Sequence, residues 1–154
     1  FKPLFSTKAR GMELVEADAG ARDRIAAFQE AGHPVMYIQQ LKELPDRDLG
    51  VSFLGGEYLG TYARVRTNGE TWNTTTRSGG HYEQAEPSDE VIELARRAQA
   101  LFDLEFTSVD VAECADGPVV FEVSAFGGFR GLRDGCGIDA AAVYTEHVLE
   151  RIGR

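Results

Sequence analysis

Apolar residues along this chain recur with two rhythms, and the rhythms predict its elements. Alternation with a period of two marks strands, and recurrence at three and four residues marks helices. Phe1–Phe5 predicts a strand, Ser6–Gly11 a polar loop, and Met12–Val15 a return to extended structure. Asp18–Ala31 predicts an amphipathic helix with Ile25, Ala26 and Phe28 inward and Gly32 as its stop. Val35–Leu41 reads as a buried strand that ends before Pro45. Leu49–Leu54 and Tyr58–Arg64 read as antiparallel strands around Gly55-Gly56-Glu57. Residues 65–84 are polar and without helical period, as binding loops often are. Ser88 is suited to cap a helix with Asp89 and Glu90 in its first turn and Val91, Leu94, Ala95, Ala98 and Leu101 inward. A last helix is expected over Ile138–Ile152, burying Ala141, Ala142, Tyr144, Val148 and Ile152. The fold class expected is α+β with a mostly antiparallel sheet.

The most informative stretch is Thr107–Gly131. Thr107–Cys114 and Pro118–Ser124 predict two strands joined through Ala115-Asp116-Gly117. A three-residue loop with Gly117 in a positive-φ conformation sets residue 114 against 118, and therefore 110 against 122 and 108 against 124. Val109, Val111, Val119, Phe121 and Val123 then share one face, and Ser108, Asp110, Glu122 and Ser124 the other. A two-residue turn shifts this register by one and mixes acids with valines. Two carboxylates on neighbouring strands repel unless protons or a cation intervene, and Mg²⁺ typically takes one or two carboxylates together with phosphate oxygens. A solvated polar face is the competing reading. Gly127, Gly128, Arg130 and Gly131 just beyond favour a ligand, since glycine admits close backbone approach and arginine binds phosphate.

Composition narrows the classes. The chain has 154 residues, 43% of them hydrophobic, enough for one substantial core, and a formal net charge of −9. That acidity argues against generic nucleic-acid binding. No apolar run reaches membrane-spanning length. Cys114 and Cys136 form no metal-type cluster and fit reduced thiols in a cytoplasmic setting. Asn73-Thr74-Thr75 matches a glycosylation acceptor that needs a secretory context to matter. His33, His81 and His147 are scattered. The chain opens on Phe1-Lys2-Pro3-Leu4-Phe5 without methionine, so an excised fragment is expected.

Taken together, FKPLF before a loop, YIQQL, the strand pair ending in TYARV, the TWNTTTRSGG loop and SVDVAE…FEVSAFGGFRGL resemble the ATP-grasp ligases, in particular the branch that modifies ribosomal protein S6 with glutamate. The resemblance spans nearly the whole chain. It implies an ATP-grasp fold in which residues 1–44 complete a small nucleotide lobe and residues 45–154 form a large metal-binding lobe. Lys2 is similar to the family's phosphate-touching lysine, with Lys8 and Arg10 in the loop that covers phosphate. Gln40 and Leu41 fall at the adenine hinge. Arg64 and Arg130 would face phosphate charge, and Asp110, Glu122 and Ser124 would hold Mg²⁺, or Mn²⁺ in its place.

The implied reaction is ATP-dependent joining of a carboxylate to an amine through an acylphosphate. The partners implied are ATP and these two substrates, a protein or peptide among them, with self-association into a homo-oligomer as a further expectation. A fragment of this extent is expected to bind nucleotide weakly and to ligate little. The sequence departs from the family pattern at the single Gly11 in the covering loop, at Gly50 and Asn73 where relatives often carry arginine, at Thr75 where they carry asparagine, at Ser124 in place of asparagine, and at Gly127 in place of proline. Those departures keep two other readings open: a nucleotide-binding or scaffold module without catalysis, and a kinase that stops at phosphoryl transfer.

Overall fold

A computed structural model describes residues 1–6, 10–66 and 80–153, arranged as two compact units, residues 1–42 and 43–154. The first unit contains β1 (Lys2–Pro3), α1 (Ala21–Glu30) and β2 (Met36–Tyr37), with β1 and β2 antiparallel. Its centre is the buried Phe28, with the Phe1 and His33 rings tilted against it. The strand expected over Phe1–Phe5 is shorter than its apolar pattern suggests, because Pro3 has no amide hydrogen to extend a ladder. Met12–Val15 forms no strand, although Phe1 and Glu13 exchange two backbone hydrogen bonds at 2.8 and 2.9 Å. The stretch 35–41 is likewise not buried within this unit: Val35, Tyr37, Ile38 and Leu41 are all more than half exposed. A two-residue ladder is all the sheet that the described residues of the unit give them to pack beside.

The second unit is built on an antiparallel sheet of β3 (Arg47–Leu54), β4 (Glu57–Val65), β5 (His81–Gln84), β6 (Phe106–Cys114) and β7 (Gly117–Ser124), in the order β5-β4-β3-β6-β7. Two tight turns define it. Gly55 and Gly56 turn β3 into β4 with φ of 57° and 83°, values that side chains tolerate poorly. Cys114 pairs with Gly117, so β6 and β7 are joined by a two-residue turn, Ala115-Asp116, and not by the three-residue loop expected.

Each hairpin then corrects its own register. In β3–β4 the pairing shifts by one between Ser52 and Phe53, with Leu59 as the extra residue. In β6–β7 it shifts between Asp110 and Val111, with Phe121 as the extra residue. Such bulges insert one residue opposite none and exchange the faces beyond them. The shift brings Asp110 opposite Glu122 and Ser108 opposite Ser124, as the alternation pattern requires. Nearer the turn it turns Val120 inward, where Val119 and Phe121 were expected.

The two faces of the sheet differ in character. One carries Leu49, Val51, Phe53, Ala63, Val109 and Val111, all sealed beneath α2 (Asp89–Gln99) through Val91, Leu94, Ala95 and Ala98. Ser88 caps α2 by accepting the Val91 amide. Leu101 lies beyond the last turn and is exposed.

The other face carries the polar row and is partly covered by α3 (Phe129–Cys136) and by α4 (Ala140–Ile152). Helix α3 was not anticipated, because Gly131 and Gly135 weaken the local helical signal. Its packing supplies the reason for both glycines, as the site geometry shows. In α4 Tyr144 and Val148 are half-buried as expected, but at the ends of the helix Ala140 is buried in place of Ala141 and Ala142, and Ile152 is exposed. Asp139 fixes the start of α4 by accepting the Ala142 amide at 3.1 Å. Strand β5 also escaped the sequence pattern, since an edge strand reading His-Tyr-Glu-Gln has little apolar content to alternate.

Candidate functional site

The polar face of the central strands gathers a charge cluster. Register alone sets its frame: Asp48 lies opposite Arg64, Gly50 opposite Tyr62 on one side and Asp110 on the other, and Asp110 opposite Glu122. Arg64 reaches across this frame. Its Nε donates to Asp48 Oδ2 at 2.9 Å, its Nη2 also donates to that oxygen, and Nη2 lies 2.9 Å from Asp110 Oδ2. Ser124 Oγ donates to Glu122 Oε1 at 2.8 Å on the outermost strand.

Burial sets the electrostatics. Asp48 is only 5% exposed, and its Oδ1 has no hydrogen-bond partner among the described residues. Burial pushes the Asp110 carboxyl up, Arg64 pulls it back, and Asp48 and Glu122 push it up again, leaving it at about 6. Burial works against the Arg64 charge, but Asp110 and Asp48 outweigh it and hold the guanidinium protonated more firmly than usual. Two carboxylates therefore meet one guanidinium with a third, Glu122, beside Asp110, and the cluster keeps a negative excess that attracts a cation.

Beneath the cluster, glycines make room for one ring. A methyl group at Gly50 would sit 2.6 Å from both Cε2 and Oη of Tyr62. One at Gly131 would sit 2.5 Å from the same Cε2, and one at Gly135 2.7 Å from Tyr62 Cβ. The ring thus fills a slot between the central strand and α3, edge-on to Tyr82, with its hydroxyl 3.4 Å from Ser108 Oγ. Burial raises the phenol above its usual range against the Ser108 hydrogen bond. Gly127 serves similarly, since a methyl there would overlap Ser108 Cβ. Gly127 and Gly131 therefore have packing work in this fold, whereas a methyl at Gly128 would meet nothing within 4 Å. The space that a side chain at position 50 would need belongs to Tyr62.

A family model describes residues 1–148 as a RimK-like ATP-grasp domain. The chain belongs to that family. Among curated relatives it is 28% identical, over 99% of its own length and 50% of the other's, to a probable alpha-L-glutamate ligase of Methanococcoides burtonii. A probable alpha-L-glutamate ligase of Shewanella pealeana is 25% identical over 99% of this chain and 33% of its own length. The chain thus spans a third to a half of the curated relatives it matches. Among solved structures, D-cycloserine synthetase DcsG superposes with a TM-score of 0.65 and 16% identity, covering 97% of this chain and 54% of that one. That likeness supports the ATP-grasp fold expected from the sequence.

The structure brings together four of the residues that the resemblance singled out: Arg64, Asp110, Glu122 and Ser124 share one face of the sheet. Arg130 stands on α3, largely exposed, with Nε 2.9 Å from Asp134 Oδ2 and its guanidinium over the Tyr82 ring. Lys2, Arg10, Gln40 and Leu41 belong to the first unit. There the Lys2 ammonium lies 5.8 Å from the Tyr37 ring centre, and the Arg10 carbonyl accepts from Ser6 Oγ. Gln40 and Leu41 are exposed and outside regular structure. Lys8, Asn73 and Thr75 lie outside the described residues.

Sequence reasoning placed Ser108 on this face, opposite Ser124, but missed Asp48 and Tyr62 as members of the cluster. Asp48 had a signal in its place two residues before Gly50 on a strand that otherwise reads apolar.

Asp110 and Glu122 are the groups that could hold a divalent cation. Among the described residues no group of three or more His, Cys, Asp and Glu could hold a metal ion. A pair of hard carboxylates with negative excess nevertheless fits Mg²⁺, which completes its shell with water and phosphate oxygens.

Proposed function

We propose that this chain supplies the metal- and phosphate-facing part of an ATP- and Mg²⁺-dependent carboxylate–amine ligase that works through an acylphosphate. The observation that carries the reading is the in-register pair Asp110 and Glu122, with Arg64 at Asp110, on one face of a sheet of the RimK-like ATP-grasp family. Relatives named probable alpha-L-glutamate ligase support amino-acid ligation. A solved ATP-grasp ligase, PsnB, complexed with a precursor, Mg and ADP and matching with a TM-score of 0.56 at 24% identity, supports nucleotide and peptide as ligands.

In this reading Asp110 and Glu122, with Ser124 beside them, would hold Mg²⁺, with Mn²⁺ able to replace it. Held there, such an ion would supply charge neutralisation for transfer of the γ-phosphoryl group to a substrate carboxylate. Arg64 contributes a fixed positive charge beside the developing negative charge, preorganised by the sheet. Glu122 is oriented by the Ser124 hydroxyl, so Ser124 acts on the carboxylate it touches. Arg130 requires release from Asp134 before it can meet phosphate. Lys2, Lys8 and Arg10 contribute to phosphate binding, and Gln40 and Leu41 to the adenine. No side-chain nucleophile is needed, because the acyl group is activated by phosphate and the incoming amine attacks it directly. The two free cysteines suit a reducing compartment such as the cytoplasm, and no helix among the described residues is long and apolar enough to cross a membrane.

The filled position at Gly50 favours a second reading, a nucleotide-binding module without ligation, because a cationic side chain has no room there. One experiment separates them in two stages. Thermal melts of the chain with Mg²⁺ and ADP are expected to show stabilisation of about 2.7 kcal/mol at a hundredfold excess over the dissociation constant. Asp110→Asn/Glu122→Gln is expected to lose it. No shift in the wild type, with both proteins folded, overturns the metal–nucleotide reading. Amide formation from ATP, a carboxylate and an amine then identifies a ligase, and nucleotide binding with no product identifies a binding module when the assay is repeated on a chain of the relatives' full length.

A further inference from the structure

Arg64 is already engaged in this structure. Its guanidinium donates twice to Asp48 Oδ2 and lies 2.9 Å from Asp110 Oδ2 through Nη2, the same nitrogen that meets Asp48. Asp48 is buried on a central strand, fixed opposite Arg64 by the sheet register, with its second oxygen unpartnered among the described residues. An arginine tied this way cannot leave the polar face, yet it can exchange one partner. A divalent cation on Asp110 competes with the guanidinium for the same carboxylate.

We infer that Asp48 is a positioning residue that tethers Arg64 as the resident counter-cation of Asp110, so that a divalent cation binds weakly alone and strongly together with phosphate. The inference rests on the metal–nucleotide reading above and adds a coupling to it. Two cations crowded on one carboxylate repel. Phosphate oxygens give the displaced guanidinium a new bidentate partner while Asp48 keeps it within reach. Metal and nucleotide therefore raise each other's affinity through Arg64, reciprocally, as linkage requires.

Manganese titrations followed by the loss of the free-ion electron paramagnetic resonance signal test this, with and without ADP, on the folded chain and its variants. The wild type is expected to bind Mn²⁺ about tenfold or more tightly when ADP is present, a coupling within the usual allosteric range. Arg64→Gln is expected to tighten Mn²⁺ alone by about tenfold, because it removes a positive charge a few ångströms from the ligand. Asp48→Asn is expected to weaken Mn²⁺ alone by roughly two- to fivefold, because the guanidinium then has Asp110 as its one carboxylate partner in this pair. A merely structural role for the pair predicts weaker binding in both variants.

Arg64→Lys, which keeps the charge but loses the planar fork, is the second variant should the glutamine fail to fold, and about threefold tightening is expected. Mn²⁺ binding equal to or weaker than wild type in the folded Arg64 variants overturns the inference. So does absence of coupling to ADP in the wild type, a measurement that needs no variant. If Mn²⁺·ADP still binds in an Asp110-dependent way, the metal–nucleotide reading survives that failure. If neither wild type nor Asp110→Asn binds Mn²⁺ with or without ADP, both fall.

Discussion

Gly50→Ala should be among the most damaging one-carbon additions to this protein. The new methyl would lie 2.6 Å from Tyr62 Cε2 and Oη, against a comfortable carbon–carbon separation of about 3.5 to 4.0 Å. The ring must then retreat by about 1 Å, and the fold leaves it nowhere to go. Gly131 of α3 closes in on the same Cε2, Gly135 closes on Cβ, and Tyr82 stands edge-on with ring centres 5.4 Å apart. Overpacking of a well-filled core costs roughly 1 to 3 kcal/mol, and a ring blocked on several sides belongs at the upper end. Replacing a strand glycine returns about 0.5 to 1 kcal/mol of backbone entropy. The net loss is about 2 kcal/mol, or a fall of roughly 4 to 8 °C in melting temperature for a chain of this size.

Far-UV and near-UV circular dichroism melts measure the fall, and a mutant cycle assigns it. Tyr62→Phe retains Cε2 and should give little relief, whereas Tyr62→Leu removes the ring carbons. In the leucine background Gly50→Ala should cost at least about 1 kcal/mol less than in the wild type, a coupling that residues in contact show. A Gly50→Ala melt within about 1 °C of wild type, or an equal fall in both backgrounds, would refute the claim that Tyr62 owns this space.

Two further outcomes are expected. In chelated, metal-free buffer the folded Asp110 carboxyl, held at about 6, prefers to be protonated more than it does in the unfolded chain. Its contribution is therefore complete below the unfolded value near pH 4 and is lost as pH rises through about 6, on the order of 2 to 3 kcal/mol across that window. Denaturant titrations at pH 4.5, 6 and 7.5 should show this slope flattened in Asp110→Asn, and an unchanged slope would remove Asp110 as its source. Separately, Thr107 is fully buried on β6 and its Oγ1 has no hydrogen-bond partner among the described residues. Thr107→Val keeps the shape and removes the stranded hydroxyl, so it should be neutral or stabilising by about 1 kcal/mol. Destabilisation beyond about 1 kcal/mol in urea unfolding would reveal a partner for that oxygen.

The alternation of residues in SVDVAE and FEVS was enough to put Asp110 and Glu122 on one face of their strands and valines on the other, whereas the pairing of Asp110 with Glu122, expected from a three-residue loop, is produced by a two-residue turn and a bulge at Phe121. The cap at Ser88 and the inward positions Val91, Leu94, Ala95 and Ala98 were equally legible, since each rests on local hydrogen bonding or helical spacing. So was the family, from motif order. Other features depended on packing between distant segments. Both hairpins turn over two residues and then spend one extra residue, Leu59 or Phe121, to restore the polar row, and no local signal marks where a strand will bulge. Helix α3 forms despite two glycines because they seat it on Tyr62, a partner 69 residues before Gly131 in the chain. Asp48, Arg64 and Asp110 are far apart in sequence, and only the order β4-β3-β6 makes one guanidinium answer two carboxylates. Residue types and their alternation determined which chemistry the chain could carry; sheet order and register decided which charges meet, since electrostatic coupling depends on separation in space and on burial.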